Sequence, residues 1–448
     1  MKRLTIIGGG LSGCEAAWQA AQSGIFVDLY EMRPSKMTGA HATSLLSELV
    51  CSNSLGSLHR NRPSGLLKEE CKLLNSLLVQ YAEESSLPAG DALAVDRELF
   101  AHKVQDRILS HPKIKVIREE VTNIPPTPTI IASGPLTSSS LSRSITHFTG
   151  KDHFYFYDAI SPIVTTSSIN FEIAFRASRY KYETEVNGDY VNCPLTQEQY
   201  ENFVRSLLKA DRIPLHQNET EILSTGVKSS FFEACLPIEV MAARNPLSLS
   251  FGPMRPVGLR NPHNGQRPFA VVQLRQEDIA DNLYNLVGFQ TNLTFPEQQK
   301  LIRQIPGLEN AEFVRFGQMH RNSYINSPQL LNSSLQMLDS PHIFFAGQIA
   351  GVEGYMGNIA SGLAAGINAS RWIRGKEPLV FPIDSMLGSL LNYITNANPE
   401  HFQPMKVNFG LLPKLLNIPK NKQERGYVHA KRSLQSLENF LEQEAISE

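Results

Sequence analysis

Cysteine is scarce in this chain, with five in 448 residues, at positions 14, 51, 71, 193 and 235. No two form a CxxC pair, and an odd, scattered set does not make a disulfide framework; it fits a reducing compartment. No close cluster of Cys and His suggests zinc, so no metal is expected. Surplus charge is missing as well, since 42 Lys and Arg against 43 Asp and Glu leave a formal net charge of −1. Global charge therefore argues neither for nor against nucleic acid, because a basic patch on one face would be averaged away. No stretch approaches the roughly 18 unbroken apolar residues of a membrane span. The opening "MKRLTIIGGG" has a short apolar part that runs into glycines, which reads as a first strand rather than a signal peptide. The expected location is the cytoplasm, with no membrane partner. A repeat of solenoid period is also absent.

What is present begins at that first strand. The run RLTII at 3–7 ends at Gly8-Gly9-Gly10-Leu11-Ser12-Gly13. The alanine-rich "CEAAWQAAQSG" is helix-prone and stops at Gly24, and "IFVDLYE" returns to a strand pattern ending at Glu31. Strand, glycine turn, helix, strand and acid in this order open a dinucleotide-binding βαβ unit. Gly8 makes the tight turn, Gly10 lets backbone approach pyrophosphate, and Gly13 lets helix pack on strand. The helix N-terminus then faces the phosphates, and Glu31 can accept hydrogen bonds from the adenosine ribose.

A second glycine-bearing strand end lies at "TIIASGP", with Gly134, and a third at "HIFFAGQIAG", with Gly347, Gln348 and Gly351, which feeds a small-residue helix. Between them, from "HFYFYDAISPIV" to about residue 330, the character shifts to mixed α/β with many short elements. The fold expected is α/β. A split Rossmann-like FAD-binding domain takes residues 1–150 and 331–448, and a second, mixed α/β domain is inserted at 151–330. A glycine fingerprint at one end and a glycine-rich strand–loop–helix at the other suit a flavoprotein better than the alternative, an NAD-only enzyme. Between Lys406 and Arg432 stand seven Lys and Arg against a single acid, Glu424. Such a run is ordinarily a solvated face; the other reading is a contact with RNA phosphates.

The stretches "IIGGGLSGCEAAWQAAQSG", "LYEMRP", "ELVCSNSL", "GLLKEE", "FFEACLPIEVMAAR", "FGPMRPVGL", "LYNLVGFQT", "FGQMHRNSYINSP" and "FFAGQIAGVEGY" are long and chemically unusual. On them the chain resembles the bacterial folate- and FAD-dependent tRNA (uracil-5-)-methyltransferases, a family related to the larger tRNA-modifying flavoprotein GidA. The resemblance implies formation of 5-methyluridine in the T-loop of tRNA. The carbon comes from 5,10-methylenetetrahydrofolate and the electrons from NADPH or NADH through FAD. It also implies two reactive cysteines, which match Cys51 and Cys235. Uracil C5 is a poor nucleophile until something adds at C6, and a soft thiolate suits that addition. Cys235 is assigned that attack, and Cys51 either the C5 proton or the restraint of the methylene-carrying flavin, although the sequence leaves the exchange of roles open.

Matched residues assigned to substrate are Glu239 and Arg244 for uracil or phosphate, and Arg275, Gln276 and Asn285 for pterin or base. His320 and Arg321 join them, with Tyr324 for ring stacking. The base must leave its stack to reach such a pocket. The chain departs from the family pattern at Gly56, where arginine is common, and in "RNRPSG" at 60–65. It departs again at Asn245-Pro246, and at Gly357 and Asn358 near the flavin. These departures raise two alternatives: the same chemistry on large-subunit ribosomal RNA, or a non-catalytic flavin-bearing RNA-binding protein. No DNA partner is expected, and the expected oligomeric state is monomeric.

Overall fold

A computed structural model describes residues 2–51, 53–150, 154–179, 188–213 and 236–444, with backbone only at 154–160 and 319–321. Strand β1 (Arg3–Ile7), helix α1 (Leu11–Gln22) and strand β2 (Phe26–Tyr30) follow one another where the alternating apolar and small residues place them. Around them builds a six-stranded sheet in the order Gln336–Met337, Ser340–Phe345, Thr129–Ile131, β1, β2, Ile114–Ile117. All pairs are parallel except the edge formed by Gln336–Met337. The chain steps from β1 outward to β2 and Ile114–Ile117, then returns to the other side of β1 at Thr129–Ile131. That reversal opens a crevice beyond the strands' carboxyl ends, where open α/β sheets take their ligands.

Helix α1 is almost wholly buried and lies along the helix Tyr355–Ile373. The approach is so close that a Cβ added to Gly362 would stand 2.2 Å from the Ser12 carbonyl oxygen, and one on Gly366 2.6 Å from that of Ala16. The small-residue run after residue 355 is thus a packing requirement. It joins the last part of the chain to the first.

Residues between these parts form a second six-stranded sheet, antiparallel throughout. Its order is Phe313–Arg315, Ile163–Thr165, Leu283–Leu286, Ala270–Gln276, Tyr190–Leu195, Phe175–Ala177. It has its own apolar core, including Val164, Cys193, Phe203, Leu274 and Leu286. Helix Gln197–Lys209 covers it, held at its start by a reciprocal cap between Thr196 and Gln199. A two-stranded ribbon, Phe154–Ile160 against Gln318–Tyr324, connects the two sheets' territories. Among the described residues no helix is long and apolar enough to cross a membrane.

The last described helix, Lys422–Glu444, turns Ala430, Ser433 and Leu437 inward and packs on the helix Pro63–Leu73. Glu70 at that junction is fully buried. Its carboxylate accepts from the Met386 and Leu387 backbone N–H groups at 2.7 and 2.8 Å and from the Ser433 hydroxyl. One buried carboxyl therefore ties three helices together.

Candidate active site

The crevice at the switch point is a cleft with about 1010 Å³ of free space, its open mouth included. Gly8, Gly10, Leu11, Ser12, Glu31, Gly134 and Gln348 line it. A Cβ on Gly8, whose φ is +108°, would come within 2.5 Å of the Ala132 carbonyl oxygen. One on Gly13 would stand 1.8 Å from the Gly8 carbonyl oxygen. Both glycines are required by backbone packing. Gly10 differs, because nothing lies within 4 Å of where its Cβ would be; its glycine keeps the cleft clear rather than the fold intact. The cleft's volume, its glycine loop at a helix start and its acid suit a dinucleotide.

Glu31 is more occupied than its sequence position implies. Its Oε2 accepts from the Gly9 N–H at 2.9 Å, and its Oε1 from the Arg33 N–H and Nε at 3.0 and 2.9 Å. Burial raises its carboxyl, but the Arg33 hydrogen bonds and charge outweigh this and hold it below the usual range. Arg33, itself buried, continues to Glu48 at 3.0 Å. Of the other assigned glycines, Gly9 sits against Leu46 and Glu31, Gly347 against Ser12, and Gly351 against the Phe402 ring.

A second cleft, with about 830 Å³ of free space, adjoins the first and shares Val50, Pro135, Leu136, Gln348, Tyr355 and Asn358 with it. Cys51 lines this second cleft, with Asn53, Gly56, Asn322, Glu353 and Lys406 among its neighbours. The polar run around Cys51 now has a structural account. Asn53 donates its side-chain N–H to the Cys51 sulfur at 3.1 Å. The Tyr355 hydroxyl accepts from the Cys51 N–H and donates to the Cys51 carbonyl, both at 2.7 Å. Burial, followed by the nearby Cys51, pushes that phenol well above its usual range, so it stays neutral.

The remaining described thiols are of another kind. Cys14, Cys71 and Cys193 are fully buried. Burial pushes Cys14 up to about 12 and raises the other two strongly. All three stay protonated and inert at neutral pH. Among the described cysteines Cys51 alone lines either cleft, and Cys235 lies outside the described residues.

Three cations surround the Cys51 loop. Lys68 is buried and gives its ammonium to the carbonyls of Leu55 and Ser57 at 2.7 and 2.8 Å. Burial lowers its pKa to about 8. Arg97 reaches the Leu49 carbonyl at 3.4 Å and pairs with Glu277 of the antiparallel sheet's territory at 2.7 Å. Arg315, from that same territory, donates to the Ala40 carbonyl at 3.1 Å. The Cys51 loop is therefore held from both halves of the molecule.

The positions that depart from the family pattern are locally consistent. Gly56 has φ +82°, and a Cβ there would meet the Ser64 hydroxyl at 2.5 Å, so two of the departures touch each other. A Cβ on Gly357 would stand 2.7 Å from a Val352 methyl. Asn358 binds the Gly354 carbonyl at 2.9 Å, while its own carbonyl accepts from Ser12 at 2.8 Å.

The assigned substrate residues do not all gather at the clefts. Glu239 is buried in the second core, where its carboxylate accepts from Thr291 and from the Asn292 N–H at 2.9 and 2.7 Å. Burial raises its pKa. Arg244 is exposed at the end of the helix Ile238–Arg244. Arg275 and Asn285 face each other on adjacent strands, with Arg275 also paired to Glu277 at 2.9 Å. Gln276 donates to the Asp278 carbonyl at 2.8 Å. His320 and Arg321 stand opposite Asp158 and Tyr157 in the ribbon. Tyr324 is buried edge-on against Phe402, with ring centroids 5.9 Å apart, a packing position. Asn53, Lys68, Arg97 and Tyr355 were not singled out from sequence, because their roles depend on backbone groups that come near only in the fold.

A nucleotide-type cleft adjoining a thiol-bearing cleft, at the switch point of a parallel sheet built from both ends of the chain, is the arrangement of a dinucleotide-binding enzyme. Residues 3–377 match the family described as Glucose inhibited division protein A. A relative in Natranaerobius thermophilus, methylenetetrahydrofolate--tRNA-(uracil-5-)-methyltransferase TrmFO, is 53% identical over 98% of this chain and 99% of its own. The protein of the same name in Anoxybacillus flavithermus is 52% identical over 98% and 99%. Aquifex aeolicus GidA shares the fold with a TM-score of 0.72 at 16% identity, over 99% of this chain and 73% of that one. The chain belongs to the Glucose inhibited division protein A family and, within it, to the group of these TrmFO methyltransferases.

Proposed function

We propose that this chain methylates C5 of a uridine in tRNA, with 5,10-methylenetetrahydrofolate as carbon donor and FAD as cofactor. Half-identity to the TrmFO relatives over nearly the whole of both chains carries this reading. The glycine loop 8–13, Glu31, Gly134, Gly347, Gln348 and Gly351 would hold FAD. When bound, FAD supplies the electrons that complete the methyl group, with NADPH or NADH as their source. Gly10 leaves room for phosphate, and the α1 N–H groups favour its charge.

The chain's own contribution to the chemistry is a pair of thiols. A thiolate adding at uracil C6 makes C5 nucleophilic. After C5 accepts the carbon, its proton must be removed and the thiol expelled. Cys235 is assigned the addition and Cys51 the proton. Asn53 supports the latter by donating to its sulfur, which favours thiolate. The inserted unit at 151–330 would bring Arg275, Gln276 and Asn285 toward the base or pterin, with Arg244, His320 and Arg321 as further assigned positions, while Glu239 and Tyr324, buried as they are, would support the site from within. The unit divides a nucleotide domain at 1–150 and 331–448. The chain works as a cytoplasmic, metal-free monomer in this reading.

The experiment compares 5-methyluridine in separated tRNA and ribosomal RNA from a strain lacking this gene, before and after complementation. Loss from tRNA and its return on complementation are expected. Unchanged tRNA content would overturn the reading, and loss confined to ribosomal RNA would move the substrate there.

A further inference from the structure

The wall of the second cleft continues onto the outer surface through the loop after Cys51. Gly56 and Ser64 line that cleft, and only three residues lie between Gly56 and Arg60, at most about 14 Å of chain. Ser57 binds the Ser64 hydroxyl through its N–H at 2.9 Å, and His59 binds Ser57 at 3.1 Å, so the loop is internally tied. Its tip docks on the C-terminal helix. The Arg60 guanidinium lies 5.9 Å from the centre of the Tyr427 ring. A Cβ on Gly426 would stand 2.3 Å from the Asn61 carbonyl oxygen. The basic helix is thus placed beside the mouth of the cleft by direct contact.

The face formed there is cationic and carries an open ring. Arg60, Lys422, Arg425 and Lys431 are exposed, and Tyr427 is half exposed. Among the described residues no ion pair involves those four cations, whereas Arg432 is tied to Asp384 at 3.4 Å. Tyr427 and Lys431 are one helical turn apart and share a face, along a shallow groove with Asn421, Glu424 and Val428. Acids on this side are few. Glu424 is exposed in the groove, and Asp91 is paired to His59 at 2.9 Å. The helix start at Lys422 adds its own positive end. Uncompensated cations interleaved with an exposed aromatic ring suit a polyanion that also offers flat bases.

We propose that the loop 56–62 and the first turns of the helix Lys422–Glu444 form a docking surface for the phosphate backbone of the RNA whose uridine enters the second cleft. The proposal rests on the methyltransferase reading above and adds where the RNA lies. Arg60, Lys422, Arg425 and Lys431 contact phosphates, and Tyr427 offers its ring to an unstacked base or ribose. A basic face built on a docked loop also explains how a chain of net charge −1 holds RNA.

The test combines R60A, K422A, R425A and K431A in the full-length holoprotein. Affinity for unmodified tRNA is measured by fluorescence anisotropy at several KCl concentrations. Each phosphate contact contributes roughly 0.7–0.9 to the log–log salt slope, so the slope should become shallower by about 3. At low salt affinity should fall at least tenfold, and KM for tRNA should rise while kcat at saturating tRNA and bound FAD stay near wild type. Y427A should weaken binding while Y427F retains it. An unchanged slope and KM in a variant that keeps its FAD would overturn the surface. A change in sedimentation with an unchanged slope would overturn it in favour of a protein contact. Wild-type protein that neither binds nor methylates tRNA would overturn the surface and the function together.

Discussion

Cys51 is held by three neighbours that act on different atoms. Tyr355 grips its backbone from both sides, Asn53 donates to its sulfur, and Lys68 fixes the carbonyls of Leu55 and Ser57 further along the loop. Cys51 lines the cleft, while Cys14, Cys71 and Cys193 are sealed from solvent. At pH 7.5 iodoacetamide should modify Cys51 in the folded protein and leave those three intact until denaturant is added, as read by peptide mass spectrometry. N53A should slow Cys51 modification roughly tenfold, the scale of a lost hydrogen bond to a charged group. Modification of Cys14 or Cys71 at a similar rate would contradict the burial argument. Gly10 supplies a second residue-scale test. Because its missing side chain faces open space, G10V should purify without FAD yet fold with a melting temperature near that of FAD-free wild type, since only the stabilisation by bound cofactor is lost. Retention of stoichiometric FAD by G10V would misplace the pyrophosphate.

At the scale of elements, the carboxyl of Glu70 holds the helix Met386–Asn396 by its first N–H groups and the C-terminal helix through Ser433. Burial raises its pKa from the ordinary 4.5 to about 7, against the lowering effect of those hydrogen bonds. The folded chain therefore binds this proton more tightly than the unfolded chain. The resulting stability is complete below about pH 4.5 and is lost as pH rises through about 7. At about 1.4 kcal/mol per unit the full effect is on the order of 3 kcal/mol. E70Q removes the titration, so wild type should lose urea-unfolding free energy relative to E70Q from pH 5 to pH 8. A difference independent of pH would show that Glu70 does not titrate there.

The βαβ unit was legible in the sequence because every one of its signals is local: glycine spacing, alanine run and terminal acid. The second sheet was legible only as a shift in character. Its antiparallel order arises from pairings such as Phe313–Arg315 with Ile163–Thr165, about 150 residues apart, and no local pattern encodes them.

Over the whole molecule, the two sheets' territories meet at the Cys51 loop. Arg97 pairs with Glu277, Asp96 accepts from the Ile279 N–H at 3.1 Å, and Arg315 reaches Ala40. That one parallel sheet takes strands from both ends of the chain was readable from the glycine-bearing strand ends. The closing of the site was not, since it depends on side chains from distant segments that meet on neutral backbone groups. The same distinction separates Tyr324 from Tyr355. Both are tyrosines in family-like motifs, yet one packs against Phe402 and the other faces the cleft.

The central claim is that this cleft transfers a folate-derived carbon to tRNA uridine with the help of Cys51. Purified holoprotein is incubated with unmodified tRNA, NADPH and tetrahydrofolate carrying a ¹⁴C-labelled 5,10-methylene group, and the RNA is digested to nucleosides. Label is expected in 5-methyluridine with wild type and at least a hundredfold less with C51A that retains its FAD. Undiminished labelling by C51A would contradict the role of the thiol, and label that appears only when S-adenosylmethionine is the donor would contradict the account as a whole.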